Sequence, residues 1–318
     1  MNNKEQARKE LLISVAKMYY IDRMTQQEIA DRLFLSRSNI SHLLKKCVDQ
    51  NIVEFNVKET SSIGQDLQNR IKKRFSLKDL IIVPSKKDLD ETRKKLGEAI
   101  SDYLKIYLKN GMLIGVTWGK TIYNISKSFK PISNISVDVI QMVGGIEARD
   151  IHTDRRLITE SLAKSLNGKA IMPLVPYVVK TEEVKKTLLL EPVVAEHFKL
   201  VTDVDIAILG LGVAKKEVNL SRYAGYFSDE DINFLEQEGA VSDICGIQFD
   251  VEGKQCASEI SNRILGIGYK DLTKIPLIIG TTVGLEKTET IMASLLSGLI
   301  SVLAIDEQAA FSLLSKIA

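Results

Sequence analysis

Apolar positions in the first fifty residues recur at helical spacing. Leu11, Leu12, Val15, Ala16, Met18 and Tyr19 form one stripe, Ile29, Ala30 and Leu33 a second, and Ile40, Leu43, Leu44 and Cys47 a third. Thr25 followed three residues later by Glu28 is a capping box, so the second helix starts there, and Ser36 can cap the third. Phe34 and Leu35 leave room between these helices only for a tight turn. Downstream, residues 52–57 (IVEFNV) alternate with the two-residue period of a strand. Three helices and a short wing strand at this spacing predict an all-α, winged helix-turn-helix domain over residues 1–58.

From residue 59 to 79 the pattern becomes a single seam. Ile63, Leu67, Ile71 and Phe75 stand at steps of four, beside a basic run of Arg70, Lys72, Lys73 and Arg74, which predicts a connector helix. Its seam suits either the domain that follows or a symmetry mate. Beyond Leu80, short apolar runs alternate with helical patterns. The runs at 80–83, 112–116, 137–143, 204–212, 244–249, 276–280 and 299–305 read as strands, with helices over 90–109, 154–166, 229–238, 287–297 and 306–317. Most of the runs are nearly continuous, the pattern of strands covered on both faces. Residues 59–318 are therefore expected to form an α/β domain, a mostly parallel sheet with helices on both faces and a ligand at the strands' carboxyl ends.

Several of those strand ends carry chemistry. After 112–116 come Thr117, Trp118, Gly119, Lys120 and Thr121 and then a helix, so backbone amides, two hydroxyls and an ammonium can cradle an anion. Gly210-Leu211-Gly212 and the run 281–284, ending in Gly284 and leading to Lys287, read as comparable turns. Gly144 and Gly145 end the third run, Asp154 precedes a helix, and Asp243 stands at the mouth of 244–249, placed to accept from sugar hydroxyls or to cap a turn. Gly210-Leu211-Gly212 has Lys215 where a dinucleotide fingerprint needs its third glycine, so no nucleotide cofactor is expected. Three anion-friendly loops on one rim suggest a phosphorylated small ligand. On the helix-turn-helix, the outward side chains at the start of the second helix of the pair are Arg37, Ser38, Asn39, Ser41 and His42, which suit base edges. Gln26 and Gln27 suit phosphate, and Thr25 and Ser36 at the two helix starts belong to the same face.

Composition narrows this only slightly. The net charge is +2, so duplex DNA must be gripped by locally placed cations and amides rather than by a basic field. Three cysteines without CxxC spacing and no apolar leader point to the reducing cytoplasm. The longest uncharged run, 290–305, is interrupted by Ser294, Ser297, Gly298 and Ser301 and is too short to span a bilayer, so no membrane segment is expected. His42, His152 and His197 lie far apart, and neither HExxH nor GxSxG spacing occurs. No metal site or enzyme activity is predicted; Glu147, Asp150 and Asp154 read as loop.

Taken in order, MYYIDRMTQQEIADRLFLSRSNISHLLKK, GVTWGKTIYNI, VIQMVGGI, GYF at 225–227, GAVSDICGIQFDVEGK and the tail from VGLEKTETI onward resemble the SorC family of bacterial transcriptional regulators, from about residue 10 to the C-terminus. The resemblance implies an effector domain similar to sugar-phosphate isomerases but used for sensing, and a homotetramer that loosens from operator DNA when a phosphorylated sugar binds. It implies effector contacts at Thr117, Gly119, Lys120, Thr121, Asp243 and Lys287, with Asp154 secondary. Several relatives in that family carry a lysine or arginine just before the paired glycines; here that residue is Val143, which neither forms an imine nor holds a phosphate. A monophosphate of a sugar or sugar alcohol is therefore expected over a bisphosphate. The alternative is an isomerase- or deaminase-type enzyme with a fused DNA reader, for which no acid/base pair is evident.

Overall fold

The computed structural model describes residues 3–22, 24–50, 52–53, 64–145, 154–215, 219–223 and 225–317. The chain divides into two compact units, Met1–Glu59 and Thr60–Ala318.

In the first unit, α1 (Asn3–Ala16) runs on through a π-helical turn, Lys17–Ile21, and is followed by α2 (Gln26–Leu33) and α3 (Arg37–Asp49). Both expected caps form. Thr25 Oγ1 accepts from the Glu28 amide at 3.2 Å while Glu28 accepts from the Thr25 amide at 2.7 Å, and Ser36 Oγ accepts from the Asn39 amide at 3.2 Å. Leu12, Val15, Ile29, Ala30, Ile40, Leu43, Leu44 and Cys47 make one buried cluster, the three stripes meeting as their spacing requires. The turn closes with Phe34 in the left-handed region at φ 54° and 95% exposed. Of the wing expected over 52–57, Ile52 and Val53 pack against this core as a bend, and 54–57 lie outside the described residues.

The second unit begins with α4 (Gln65–Arg74), whose Ile71 is buried against the α/β core with Leu67 and Phe75 beside it, so the seam packs on its own domain. There follow β1 (Asp79–Val83), α5 (Leu89–Leu104), β2 (Leu113–Val116), α6 (Lys120–Ser128), β3 (Asp138–Gln141), α7 (Arg155–Ser165), β4 (Ala170–Ile171), α8 (Glu182–Leu188) and α9 (Pro192–Val201). Next come β5 (Ile206–Gly210), β6 (Gly212–Val213), α10 (Leu220–Tyr223), α11 (Asp229–Gln237), β7 (Ser242–Ile244), β8 (Ile247–Phe249), β9 (Gln255–Cys256), α12 (Ser258–Ser261) and α13 (Tyr269–Leu272). The chain closes with β10 (Leu277–Thr281), α14 (Thr288–Leu296), β11 (Val302–Asp306) and α15 (Glu307–Ile317).

Seven strands form a sheet in the order β1-β11-β10-β5-β2-β3-β4, and every pairing is parallel. Alternate residues of each strand bury on opposite faces. Ile206, Ile208, Ile279 and Val302 join α5, α6 and α7, whereas Ala207, Leu209, Ile278 and Leu303 join α4, α11, α14 and α15. This explains the continuous apolar runs. Among the described residues, no helix is long and apolar enough to cross a membrane.

Two expected strand features differ. The run 244–249 is not one strand of the main sheet but an antiparallel hairpin, β7 and β8, turned by Cys245 at φ 56° and Gly246 at φ 82°. Left-handed backbone at both loop residues is what a two-residue hairpin matching strand twist demands. Likewise Gly210-Leu211-Gly212 does not turn into a helix. Gly210 ends β5 and Gly212 starts β6, which pairs antiparallel with β7 in a second sheet, β6-β7-β8-β9.

Candidate functional site

From β2 the chain crosses to β3 on one side, and β5 later inserts on the other, so the connections part between β2 and β5. In a doubly wound sheet the crevice at such a point is where ligands bind, outside the carboxyl ends of the strands. A cleft of about 440 Å³ opens there. Its floor is tied by the Gly210 amide, which donates to Thr117 Oγ1 at 3.2 Å.

One wall is the turn from β2 into α6. Gly119, at φ 128°, is the helix N-cap and supplies no side-chain cap, so the first amides of α6 are left for a ligand. Thr117, Trp118, Lys120 and Thr121 line the cleft beside it. Opposite lie Thr281, Thr282, Val283 and Lys287 from the turn after β10. Thr281 Oγ1 is buried without a partner, and burial, aided by the nearby Arg93, pushes the Lys287 ammonium below the usual lysine range. Arg93 from α5 completes this group, so the anion-friendly end contains three cations, a free hydroxyl and an uncapped helix start.

Around the rest of the cleft stand Tyr177, Asn219, Ser221, Asp243, Cys245 and Gly246. Asp243 accepts from the Gly246 amide at 3.1 Å and from Gln248 Nε2, and burial raises its carboxyl to about 6 against those two bonds. Tyr177 is raised well above the ordinary phenol range by burial and by Asp243, and its hydroxyl is bonded to Ser221. Trp118 and Tyr177 meet edge to face at 5.5 Å, with Tyr226 at 5.2 and 5.1 Å from them, an apolar wall of the kind that packs a sugar ring's C–H face.

Of the effector residues read from sequence, Thr117, Trp118, Gly119, Lys120, Thr121, Gly210, Gly212, Asp243 and Lys287 come together in this cleft, and Val143 forms part of its wall. Four do not line it. The amides of Gly144 and Gly145 donate to the backbone of Leu265 and Val175, and the Gly145 carbonyl accepts from Arg155. Asp154 caps α7, accepting from the Arg156 amide at 2.9 Å. Gly284 donates to Asp306 Oδ1 at 2.9 Å, which fixes the turn that carries Lys287. Glu147 and Asp150 lie outside the described residues. Arg93, Tyr177, Asn219, Ser221 and Cys245 stand in no anion-binding motif, and only the convergence of separate elements brings them in; Thr281 and Thr282 belong to the turn 281–284 read from sequence. Among the described residues no group of three or more metal-binding side chains exists.

On the helix-turn-helix unit, Arg37, Ser38, Asn39, Ser41 and His42 are all exposed on α3, opposite buried Ile40, Leu43 and Leu44. Gln27 donates to Asp31 Oδ1 at 2.8 Å, and Gln26 stands half-buried at the start of α2.

Known proteins match both units. A sugar-binding domain family spans residues 62–315 and a winged helix-turn-helix DNA-binding family spans 22–54. The transcriptional regulator YjhU of Escherichia coli K12 is 30% identical over 94% of this chain and 92% of its own. The deoxyribonucleoside regulator of Bacillus subtilis 168 is 26% identical over 98% of this chain and 100% of its own. The full-length sorbitol operon regulator SorC from Klebsiella pneumoniae has the same fold, with a TM-score of 0.82 at 23% identity over 96% of this chain and 98% of that one. A sugar-binding domain of this extent behind a helix-turn-helix makes this chain a member of the SorC family of sugar-responsive transcriptional regulators.

Proposed function

We propose that this transcriptional regulator controls a carbohydrate-utilisation operon and is switched by the monophosphate of a sugar or sugar alcohol, bound in the β2/β5 cleft. The observation that carries this reading is the division of the cleft's chemistry: cations and helix amides on the α6 and β10 walls, and a carboxylate with hydroxyls and an aromatic wall beyond. A phosphate suits the first group and sugar hydroxyls the second. Val143, where several relatives carry a cation, leaves no second phosphate subsite on that wall.

In this reading α3 enters the major groove of a duplex operator, with Arg37 and Asn39 reaching base edges and Gln26 and Gln27 holding the backbone. A homotetramer presents several such heads to repeated half-sites. The effector acts because it binds one arrangement of protomers more tightly than the other; equal affinity would shift nothing. The residues lining the cleft supply no paired general acid and base beyond Asp243, and the relatives that match over the whole chain are named regulators, which favours sensing over turnover.

Fluorescence anisotropy of labelled operator DNA with the full chain tests this. A sugar monophosphate from a broad panel is expected to change the apparent affinity, while its unphosphorylated parent sugar does not. Operator binding indifferent to every phosphorylated compound would remove the proposal.

A further inference from the structure

The resemblance and the motifs account for two cations in the cleft, Lys120 and Lys287. A third, Arg93, comes from the first turns of α5, a helix with no motif of its own. Its side chain is 15% exposed and lines the cleft. One guanidinium nitrogen, Nη1, donates to Asp90 Oδ1 at 2.6 Å, and Asp90 also accepts from Asn124 of α6 at 3.4 Å. That carboxylate is 56% exposed, so it orients the guanidinium from the solvent side. Nε of Arg93 is buried and has no partner.

A buried, unpaired guanidinium N–H is costly unless something else occupies it. Arg93 also sits close enough to Lys287 to disfavour its charge, and Glu286 is the acid that opposes this effect. Asp243, the one carboxylate lining the cleft among the described residues, acts instead on Tyr177 and Cys245. Two adjoining cations, a partnerless Thr281 hydroxyl and the uncapped start of α6 thus border a space that, among the described residues, no carboxylate other than Asp243 lines, Asp90 and Glu286 standing outside it. A singly charged carboxylate would balance only one cation, whereas a phosphate ester carries close to two charges near neutral pH and offers three acceptor oxygens. The planar guanidinium fork matches two of those oxygens, which an ammonium cannot do.

We propose that Arg93 is a cation of the phosphate site beside Lys287, and that the Arg93–Lys287 pair makes the cleft select a phosphate dianion over an uncharged sugar or a sugar acid. This rests on the sugar-phosphate reading above. It also gives the ligand a handle on α5, which packs against α6 so closely that a side chain at Gly97 would strike Ile125. Selection by charge further requires that binding follow the ligand's second ionisation, near pH 6 for a phosphate ester. The charged groups bordering the pair are Asp90 on α5, Lys120 on α6 and Glu286 before α14, while Asp243 on β7 titrates in the same range.

The test uses the full chain, with isothermal titration of inorganic phosphate and of acetate at matched ionic strength, between pH 5.5 and 7.5 in an Asp243→Asn background. Phosphate is expected to bind more tightly as pH rises and acetate not to bind. Arg93→Met and Lys287→Met are each expected to weaken phosphate about tenfold or more, the worth of one charge-assisted hydrogen-bonded contact, and to flatten its pH dependence. Arg93→Lys, which keeps the charge and loses the fork, should fall between wild type and Arg93→Met, and it carries the test if Arg93→Met fails to fold. Unchanged affinity and pH dependence in the Arg93 variants, with Lys287→Met defective, would overturn the role of Arg93 alone. No phosphate binding in any protein would instead discard the sugar-phosphate reading itself.

Discussion

The amide of Gly210 and the hydroxyl of Thr117 join the carboxyl ends of β5 and β2 at 3.2 Å, across the point where the sheet's connections diverge. Thr117 is 6% exposed, so the bond is shielded from water. Thr117→Val keeps the shape and removes the acceptor, leaving the Gly210 N–H unpaired at that position. Urea unfolding is expected to show a loss of about 1–3 kcal/mol, with Thr117→Ser recovering most of it. Equal stability of Thr117→Val and wild type would mean that the floor of the cleft is held by packing alone.

Asp243 makes stability depend on pH in a defined direction. Burial raises its carboxyl from 3.8 to about 6, so the folded state holds a proton that the unfolded chain has released between those values. Its destabilising effect is absent below pH 4, grows as pH rises toward 6 and is constant above. Asp243→Asn is therefore expected to gain stability over wild type between pH 4 and 6 and keep that gain at pH 8. The gain is of order 1–3 kcal/mol, less whatever the lost charged hydrogen bonds supplied. Thermal unfolding of both proteins across this range checks the sign.

Lys287 and Thr121 sit on the two walls proposed to hold the phosphate. Lys287→Ala and Thr121→Val are expected to abolish the effector's influence on operator affinity while leaving effector-free DNA binding unchanged. Anisotropy titrations with and without ligand separate these outcomes, and a retained response in both variants would move the phosphate elsewhere.

For the DNA side, Arg37→Ala and His42→Ala should weaken operator binding more than binding to unrelated duplex. A bidentate contact to guanine contributes about 1–3 kcal/mol of discrimination. Competition with nonspecific DNA at fixed salt reads this ratio. An Arg37→Ala protein that keeps its operator preference would show that base reading lies in other residues.

The capping box is open to a simple measurement. Thr25→Ala removes the acceptor for the Glu28 amide and is expected to lower helix-turn-helix stability by about 1 kcal/mol, with Thr25→Ser near wild type. Circular dichroism melts of the full chain follow it.

Much of the fold was legible because its determinants are local. Thr25 with Glu28, and Ser36 with the Asn39 amide, act within a single helical turn, and the continuous runs around Ile206–Leu209 and Leu277–Ile279 record burial on both faces of a sheet. The run 244–249 reads as one strand yet folds as a hairpin, because apolar content alone does not separate a strand from a tight hairpin. The Cys245-Gly246 pair was the local clue, since both residues adopt left-handed backbone. Gly144 and Gly145 have the residue types of an anion loop, yet their amides serve Leu265 and Val175, partners far along the chain that no short motif specifies.

The chain's sequence by itself determined two helix starts, the strands' two-sided burial, the strand-to-helix turn at Thr117–Thr121 and the absence of a cation at Val143, because each depends on neighbours within a few residues or on side-chain identity alone. Tertiary structure alone decided that Arg93, Tyr177, Ser221 and Thr281 share one cleft with Asp243 and Lys287. These residues arrive from five separate segments, and what brings them together is the order in which parallel strands pair. That order is set by burial summed over the whole sheet and leaves no periodicity in any one stretch.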